Sequence, residues 1–404
     1  AYFVPEDELD AYTEDEIVFD DDGAPLTYEK GTFIYRLAGR EREKSASYYT
    51  PQSLTECLVK YALKELIGED ASDMPADDIL ELTICEPAMG SGAFLNEAVN
   101  QLAEAYLQRK QEETGDYISH EDYTREKQKV KMHLADNNVF GVDLNPVATE
   151  LAEVSLWLNT IYEQTPEDPA YTAGGQAFVP WFGMQLTTGN SLIGARRQVY
   201  APELVKDSGG RGKPAYMETA PERIPPGTDR SEAHAGHIYH FLLHDYEMAN
   251  YSTSGGPGDL AKAEIKSLRS WRRDTKKGID DHDLKTLQRL SKAVDSLWAK
   301  HARQQRQIRR STTDPIHIYG QPVPDRMRAP TTTRWKDDKL EQELYSNNVR
   351  ASSAYRRLKL AMDYWCALWF WPIDAEGTVP SWDEWLMDLQ VILEGDLYNS
   401  GPEV

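Results

Sequence analysis

The stretch CEPAMGSGAFLN, residues 85 to 96, places a carboxylate and two closely spaced glycines where a predicted strand meets a predicted helix. Gly90 and Gly92 lack a Cβ, so the backbone can approach a bound molecule and direct amide groups at it. Glu86 stands where the pyrophosphate of a dinucleotide would come close, and its charge would repel that group. The same carboxylate can attract an ammonium group. The turn therefore favours a nucleoside that carries a positive charge and no phosphate.

Two further polar turns follow predicted strands. Asp143 comes near the end of NVFGVDLN (138 to 145), and Asn190 lies in MQLTTGNSLIG (184 to 194). Ligands of open parallel sheets bind beyond the carboxyl ends of the strands, so we expect these turns to meet the glycine turn in one crevice. An acid at the end of the second strand can accept hydrogen bonds from ribose hydroxyls. Together with Glu86, this chemistry favours S-adenosylmethionine over a nicotinamide dinucleotide.

The glycine turn alone is weak evidence for any nucleotide. It lacks the third glycine of the GxGxxG pattern. GGRGKP, at 209 to 214, fails the P-loop pattern because no Ser or Thr follows Lys213. The expected convergence of the three turns therefore counts for more than any single motif.

The residues between these turns predict helices and strands in alternation. Pro51, with Thr50 before it as the expected cap, begins a helix, and ILELTIC (79 to 85) is a short apolar strand. PVATELAEVSLWLNTIY is almost entirely apolar and is expected to be a deeply packed helix. This order predicts an α/β fold, a doubly wound parallel sheet with a long, mainly helical insertion or second domain. Apolar residues recur at helical spacing at Leu54, Leu58, Tyr61, Ala62 and Leu66, and inward-facing positions are expected at Phe94, Leu95, Ala98, Val99, Leu102 and Tyr106.

Composition divides the chain into four parts. Residues 1–45 are an acidic N-terminal arm, in which positions 1 to 22 hold ten acids and no Lys or Arg. Residues 46–200 contain the alternating core. Residues 201–260 are rich in Gly, Pro and charge and are expected to be a loop-rich linker. Residues 261–404 are predicted to be mainly helical and partly basic.

The formal charge of −23 argues against a nucleic-acid partner for the chain as a whole. Its distribution is uneven, however, because residues 260 to 310 hold 15 Lys and Arg against six Asp and Glu. Such a stretch is either a solvated helix face or a surface that contacts DNA. Both interpretations stay open at this stage.

The sequence also bears on the compartment. No apolar run approaches the roughly 20 residues that cross a bilayer, and AYFVPEDELD has no signal-peptide character, so we expect a cytoplasmic protein. Cys57, Cys85 and Cys366 are scattered and form no CxxC pair. They are expected to be buried, reduced thiols.

Two clusters have competing interpretations. His234, His237, His240 and His244 lie within eleven residues, and the last three could share a helix face and bind a metal. No carboxylate or Cys completes a convincing set at a second site, so we favour a structural or solvent-exposed histidine face and predict no metal. A cluster of aromatic residues could stack on bases, although its apolar neighbours favour a place in the core; its members are Trp365, Trp369, Trp371 and Phe370.

In combination, the motifs resemble those of the N6-adenine DNA methyltransferases. CEPAMGSGAFL resembles their (D/E)PxxGSGxFL cofactor motif, GVDLNPVATELAEVSLWL their second motif and GNSLIG their third. YYTP, at 48 to 51, resembles the tenth motif of the gamma arrangement, which precedes the cofactor loop. The likeness is greatest to large bacterial methyltransferases of type IIG restriction and of phage-defence systems such as DISARM and BREX. HIYHFLLHDYEMANY and the basic helices after it resemble the type IIG enzymes more loosely.

The resemblance implies a Rossmann-like fold that binds S-adenosyl-L-methionine, and it assigns roles by position. By comparison with the family's motifs, Asp143 would hold the ribose hydroxyls, Leu144 would pack on the adenine and Asn190 would face the adenine amino edge. The family often has Asp where this chain has Asn190, and an amide accepts without charge, so binding is expected to survive but weaken. The other implied cofactor-binding residues are Tyr49, Thr50 and Pro51 at the methionine end, and Glu86, Pro87, Ala88, Gly90, Ser91, Gly92, Phe94 and Ser191.

One motif of the resembling family is missing. Its catalytic (D/N)PP(F/Y/W) loop orients the amine of an extruded adenine, and the chain has no copy. NPVA at 145 belongs to the second motif, IPPGTD at 224 lacks both flanking residues, and WFWPID at 369 has one proline. The chain begins at Ala1 without Met. We therefore expect a segment of a larger enzyme, with its catalytic and target-recognition parts beyond Val404 and no catalytic residue in this chain.

The leading hypothesis is the cofactor-binding part of an adenine-N6 DNA methyltransferase of restriction-modification or phage defence. The intact enzyme would move a methyl group from a sulfonium to the exocyclic amine of a flipped adenine, and this chain alone would be inactive. Its expected partners are double-stranded DNA, through parts outside the chain and the basic helices of 260–310, and other defence-system proteins. A non-catalytic scaffold or sensor that binds S-adenosylmethionine or DNA is the second hypothesis. A nicotinamide-dependent dehydrogenase is the third.

Overall fold

The computed structural model describes most of the chain from Thr50 to Gly395. The described residues are 50–68, 73–166, 177–206, 212–225, 228, 230, 234–252, 260–276, 279–323, 331–342 and 353–395, with positions 9, 12–13, 17–20, 23–28 and 32 before them. The chain divides into two units, 1–48 and 49–404. In the first unit, Phe19 and Pro25 form an antiparallel bridge. Most of the expected acidic arm lies outside the described residues.

Helices and short strands alternate through the first part of the second unit. The elements up to residue 188 are α1 (Gln52–Ile67), α2 (Ala76–Ile79), β1 (Ile84–Glu86), α3 (Ala93–Thr114), α4 (His120–Asn137), β2 (Val139–Asp143), α5 (Pro146–Thr160), β3 (Tyr162–Glu163), β4 (Ala177–Phe178) and β5 (Leu186–Thr188). Those that follow are β6 (Gln198–Tyr200), α6 (Pro202–Lys206), β7 (Glu222–Arg223), β8 (Ile238–Tyr239), α7 (Lys262–Asp274), α8 (Asp281–Thr312), α9 (Thr333–Leu340), α10 (Ala354–Ala367) and α11 (Trp382–Glu394).

A three-stranded parallel sheet lies at the centre of the first part. Its strand order is β1-β2-β5, with Ile84 opposite Val139 and Gly141 opposite Leu186. The two other sheets of the described residues are antiparallel, one formed by β3 and β4 and one in the order β7-β6-β8. The strand expected over 79–85 is shorter than predicted, because Ile79 ends α2 and is fully buried there. A small parallel sheet among helices is therefore present, and its doubly wound arrangement remains a prediction.

The first hydrophobic cluster forms around α3. Leu95, Val99, Leu102 and Tyr106 are completely buried on one stripe of this helix, as the helical spacing predicts. Phe94 is only half-buried. Residues of α1, α2, α4, β2, α5 and β5 also belong to this cluster.

The packing of α5 differs from the prediction. Ala152 and Leu156 are buried, but an apolar stripe on the opposite face is exposed. An apolar composition all round a helix predicts deep burial only if neighbours cover every face, and the described neighbours cover one. All five expected apolar positions of α1, including Ala62, are likewise exposed, since its buried residues are Thr55, Val59 and Ile67. The large exposed side chains are Val147, Leu151, Val154 and Leu158 in α5 and Leu54, Leu58, Tyr61 and Leu66 in α1.

A second hydrophobic cluster is built from β6, β8, α8, α10 and α11, around the completely buried Trp385. Residues 238–243, which the composition places in a linker, contribute to this cluster and are buried except for His240. Trp365, Trp369 and Trp371 pack against the cluster, which confirms their place in a core. Phe370 does not, because its side chain is exposed.

The chain after α8 returns to the first cluster. Ile318 is buried there, and Tyr319 accepts a hydrogen bond at its carbonyl from the Tyr106 hydroxyl at 2.7 Å. Gln321 donates to Asp77 Oδ1 at 2.5 Å, and the Lys110 ammonium lies 2.7 Å from the same oxygen. Residues 318–321 thus cover the outer side of α3.

The cysteines are free, but their environment differs from the prediction. Cys57 and Cys85 are exposed and Cys366 is half-buried. Cys57 is exposed because it lies on the opposite face of α1 from Thr55 and Val59. Within the described ranges, no helix combines the length and the apolarity needed to cross a bilayer.

Candidate functional site

Backbone hydrogen bonds bring the three predicted turns together at the carboxyl ends of β1, β2 and β5. The Gly90 amide donates to Asp143 Oδ2 at 2.8 Å, and the Met89 amide donates to the Val142 carbonyl at 3.1 Å. On the other side, the Gly189 amide donates to the Asp143 carbonyl at 2.8 Å. The glycine turn and the turn after β5 are therefore both attached to the end of β2. The three turns therefore meet at one edge of the sheet, and a ligand in the crevice between them stays a prediction.

Asp143 is held rigidly by its local structure. Its Oδ1 accepts from the Asn145 amide at 2.8 Å, and the Asn145 side chain caps α5 by accepting from the Val147 amide at 3.0 Å. Each Asp143 oxygen therefore accepts one backbone hydrogen bond. A carboxylate oxygen has a second lone pair, so both can still accept from a hydroxyl of a bound molecule.

The glycine turn depends on its two glycines in different ways. Gly90 and Gly92 have φ of 54° and 74°, a backbone region that residues with a Cβ rarely adopt. The Gly92 amide donates to the Met89 carbonyl at 2.8 Å and closes the turn. A Cβ on Gly92 would lie 3.2 Å from Ala152 Cβ of α5, whereas one on Gly90 would meet nothing within 4 Å. Gly92 thus allows α3 to begin close to α5, and Gly90 leaves open space above the turn.

Glu86 is the one acid in the glycine motif, and its carboxylate is incompletely paired. It is half-buried, receives a hydrogen bond from the Leu95 backbone, and its Oε2 is buried with no hydrogen-bond partner among the described residues. Burial raises the pKa of Glu86 to about 7, and the charge of Asp143 adds to this shift. A buried carboxylate oxygen without a donor is costly unless a ligand supplies one. The site therefore suits a molecule with an ammonium group.

The Asn190 side chain takes part in the backbone hydrogen bonds of its own turn. Its side chain is exposed, and its Oδ1 accepts from the Leu192 amide at 2.9 Å and the Ile193 amide at 3.0 Å. Both lone pairs of the oxygen are thus engaged inside the turn. An adenine amine would have to replace one of these bonds, whereas the Asn190 Nδ2 remains available as a donor. Its contact with adenine stays a prediction.

Several residues at the crevice were missed by sequence reasoning. Leu192 is 85% exposed after β5, and Leu144, which was predicted, is 71% exposed after the neighbouring β2. Two exposed leucines at adjacent strand ends can enclose a flat apolar ring. Met89 is buried below the glycine turn, where its sulfur approaches Gly141. The available signal for Leu192 was an apolar pair, Leu192 and Ile193, within a turn that follows a strand.

The remaining predicted residues lie around this centre or outside the described residues. Tyr49 is outside them. Thr50 does not cap α1, because that helix begins at Gln52 with Pro51 in the N-cap position and no side-chain cap. The prediction of a Thr50 cap is wrong, since proline itself ends the preceding extended segment. The rest lie in or beside the turns after β1 and β5: exposed Pro87, Ala88 and Ser191, and half-buried Ser91 and Phe94.

The histidine cluster does not form a helix face. His240 lies in a short 3-10 turn after β8, where its Nε2 is 3.0 Å from the Arg196 amide nitrogen. His244 is buried against three tryptophans, at 5.0 to 5.3 Å between ring centroids. The helical interpretation is wrong because these histidines follow a strand. Nowhere in the described residues do three or more His, Cys, Asp or Glu side chains form a potential metal site.

A substitution in β2 tests the packing beneath the crevice. A Cβ on Gly141 would lie 2.3 Å from Met89 Sδ and 3.1 Å from Leu186 Cδ2. Because Met89 and Leu186 are buried, neither side chain can move away freely. We expect Gly141→Ala to destabilise the protein by about 1–3 kcal/mol, as overpacking does. Urea unfolding followed by circular dichroism measures this change.

Gly189 offers the matched control for this substitution. A Cβ there would meet only Val142 Cγ1, at an ordinary contact distance of 3.7 Å. Gly189→Ala should change the free energy of unfolding by less than about 0.5 kcal/mol. Equal unfolding midpoints for the two variants would show that the space around Gly141 can take a methyl group without loss of stability.

Comparisons with known proteins agree with the motifs. Residues 26–169 match the family model described as N-6 DNA methylase. A protein of Methanocaldococcus jannaschii named as a type II restriction enzyme and methyltransferase is 27% identical over 213 residues, which cover 45% of this chain and 17% of that relative. The resemblance to the N6-adenine DNA methyltransferases is thereby confirmed. The chain spans less than a fifth of the relative's length, and no solved structure matches it.

Proposed function

From this family match and the crevice, we propose that the chain is the S-adenosylmethionine-binding part of an adenine-N6 DNA methyltransferase that acts in restriction-modification or phage defence. The hydrogen bonds of Asp143 to the turns after β1 and β5 carry this proposal. They put one acid at the junction of three turns, with the unpaired oxygen of Glu86 beside it. The family match supports the assignment to DNA methylation.

The residues present fit this cofactor, which supplies a methyl group on a positively charged sulfonium. Glu86 would receive the ammonium group of its methionine part, because its Oε2 lacks any other donor. Asp143 would accept from the ribose hydroxyls through the lone pairs that the backbone leaves free. Leu144, 71% exposed, would cover one side of the adenine. Under this proposal the sheet is doubly wound, as in other proteins with a ligand at strand ends.

The target amine would be oriented by residues outside this chain. None of the 404 residues belongs to a (D/N)PP(F/Y/W) motif, whose polar side chain and carbonyl would hold an extruded adenine. The chain covers only 17% of its relative, which leaves room for such a part in a longer protein. We propose that this chain binds the cofactor and contacts DNA but does not transfer a methyl group by itself.

Calorimetry on the 404-residue chain tests the proposed cofactor. We expect one site for S-adenosylmethionine and for its demethylated product, and no heat of binding for NAD. NAD is the informative control because its pyrophosphate would approach Glu86. Binding of NAD in preference to S-adenosylmethionine would replace the proposal with a dehydrogenase.

A methylation assay tests the second part of the proposal. The chain is incubated with labelled S-adenosylmethionine and plasmid DNA, and label in the DNA is counted. No incorporation above a no-protein control is expected. Methylated adenine produced by this chain alone would contradict the proposed division of the active site.

A further inference from the structure

A basic groove lies away from the crevice, between α8 and the amino ends of β2 and β5. It encloses about 670 Å³ and is lined on the sheet side by Phe140 and Gln185. Arg303, Arg306 and Arg309 line it on the side of α8. Phe140 is the second residue of β2 and Asp143 is its last, so the groove opens toward the opposite end of this strand from the crevice. The two sites are therefore separate.

One carboxylate, that of Asp136, lines this groove, and it interacts electrostatically with Arg309. Among the described residues, no Asp or Glu lies within salt-bridge distance of Arg303, Arg306 or Arg310, although other arginines of the chain are paired, such as Arg109 with Glu113 at 3.2 Å. The chain carries a net charge of −23, which makes unpaired, clustered cations unusual in it. An anionic partner would be attracted to this groove and repelled by most other surfaces.

The spacing of the arginines fits an extended row of charges. Arg303, Arg306 and Arg310 follow the i, i+3, i+7 pattern and so share one face of α8. An adjoining concavity of about 470 Å³ is lined by the same three residues. Seven residues of helix rise about 10 Å, and phosphates of one DNA strand follow each other every 3.4 Å along the duplex axis. Three arginines over this length match a run of phosphates better than a single small anion.

The aromatic side chains of the groove are already covered by arginines of the same chain or buried. The Arg197 guanidinium lies 5.2 Å from the Trp298 ring centroid, and the Arg309 guanidinium lies 5.7 Å from that of Phe140. Trp181 is buried, and its indole donates to Asp337 at 2.7 Å. Single-stranded nucleic acid is bound through bases that stack on free aromatic faces. Because these rings are covered and the arginines are exposed, the groove suits the phosphates of a duplex better than the bases of a single strand.

We propose that this groove and the adjoining concavity bind the sugar-phosphate backbone of double-stranded DNA, with Arg303, Arg306 and Arg310 as the phosphate contacts. The inference rests on the proposed function only in taking DNA as the partner. It assigns the contact to the second half of α8, and not to the whole basic stretch of 260–310. In α7, by contrast, Arg272 is engaged by the Tyr246 carbonyl at 2.6 Å and by Glu247 at 3.6 Å. The groove would hold the duplex without touching the cofactor.

Fluorescence anisotropy with a labelled 20-base-pair duplex tests the proposal. We compare the 404-residue chain with the variant Arg303→Gln, Arg306→Gln, Arg310→Gln between 50 and 300 mM NaCl. All three side chains are exposed, so the variant should fold normally. The variant should bind about 100-fold more weakly at 0.1 M salt, and the slope of log affinity against log salt should fall by about 1 for each lost contact.

A second triple variant controls for net charge. Arg109, Arg125 and Arg289 each pair with an acid, at 3.2, 3.1 and 2.6 Å, and their replacement by Gln removes the same total charge. This variant should keep the affinity within about threefold, since its arginines are not available to phosphates. Equal losses for the two triple variants would overturn the proposal. So would an unlabelled single strand that competes better than the duplex of the same sequence.

Calorimetry with S-adenosylmethionine separates this inference from the proposed function. The groove variant should bind the cofactor as tightly as the unmodified chain does. If the cofactor does not bind at all, the proposed function fails, and the duplex titrations still decide on the groove. If the unmodified chain binds the cofactor but not the duplex, the groove proposal alone fails.

Discussion

Asp143→Ala should weaken S-adenosylmethionine binding by about 100-fold or more. The substitution removes the acceptor for the ribose hydroxyls, and hydrogen bonds to a charged acceptor contribute about 1.5–3 kcal/mol each. It also leaves the Gly90 and Asn145 amides without their acceptor, at 2.8 Å in both cases in the native protein. The glycine turn would then be attached to β2 only through Met89. Isothermal titration calorimetry at pH 7.5 measures the change.

Asp338→Ala is the control for this experiment. Asp338 is an exposed acid in α9, and its removal changes the net charge equally. It should leave cofactor affinity unchanged. Thermal unfolding of both variants tells whether a loss of binding reflects a loss of folding. Asp143→Ala binding with unaltered affinity would show that the junction of the three turns is not the cofactor site.

Cofactor affinity should depend on pH through Glu86. Burial raises the pKa of this carboxyl to about 7, so at lower pH the free site is protonated and cannot pair with the ammonium group. The dissociation constant should therefore rise by up to tenfold for each pH unit below about 7. Above about 8 the α-amino group itself loses its proton. Titrations between pH 5.5 and 9 should give tightest binding between these two values.

Glu86→Gln tests whether Glu86 is the group that causes this pH dependence. The variant should bind the cofactor about 30- to 100-fold more weakly at pH 8, because the ion pair is lost, and its affinity should no longer fall between pH 7 and 5.5. If the affinity of this variant still falls between pH 7 and 5.5, another group is responsible for the pH dependence. Asp143 is the other acid whose charge acts on Glu86.

Glu86→Gln should also make the folded protein more stable, although it weakens cofactor binding. The folded protein holds the Glu86 proton up to about pH 7, whereas a free glutamate loses it near 4.5. Ionised Glu86 therefore costs stability above pH 7, and this cost disappears as the pH falls to about 4.5. Glu86→Gln should melt about 2–4 °C higher than the unmodified chain at pH 8 and at the same temperature near pH 4.5. Weaker binding together with higher stability would exclude simple misfolding.

The crevice was predictable because each of its turns carries a local signal. Gly90, Gly92 and Asp143 follow short apolar strands, and parallel strands bring their carboxyl ends to one edge. The raised pKa of Glu86 was not predictable, because it depends on how far the side chain is buried at that edge. The hydrogen bonds that the Asn190 oxygen accepts within its own turn were likewise not predictable from the sequence.

The packing beyond the crevice was less predictable. Periodicity reports which helix faces are apolar but not which are covered, so Leu151 and Leu158 of α5 were expected inside and are exposed. Glycine and proline in 201–260 indicated a linker, yet Ile238 and Phe241 are completely buried in the second cluster. These contacts join residues far apart in the sequence. Local composition carries no record of them.

The return of the chain after α8 has a consequence for protein production. The Tyr106 hydroxyl reaches the Tyr319 carbonyl, at 2.7 Å, across 213 positions of sequence. A truncated protein ending near residue 200 would lack Ile318 and would remove the hydrogen-bond partners of the Tyr106 hydroxyl, so part of the first hydrophobic cluster would be exposed to water. A minimal cofactor-binding fragment should therefore retain residues 316–321, which are synthesised about 200 residues after the helix that they cover.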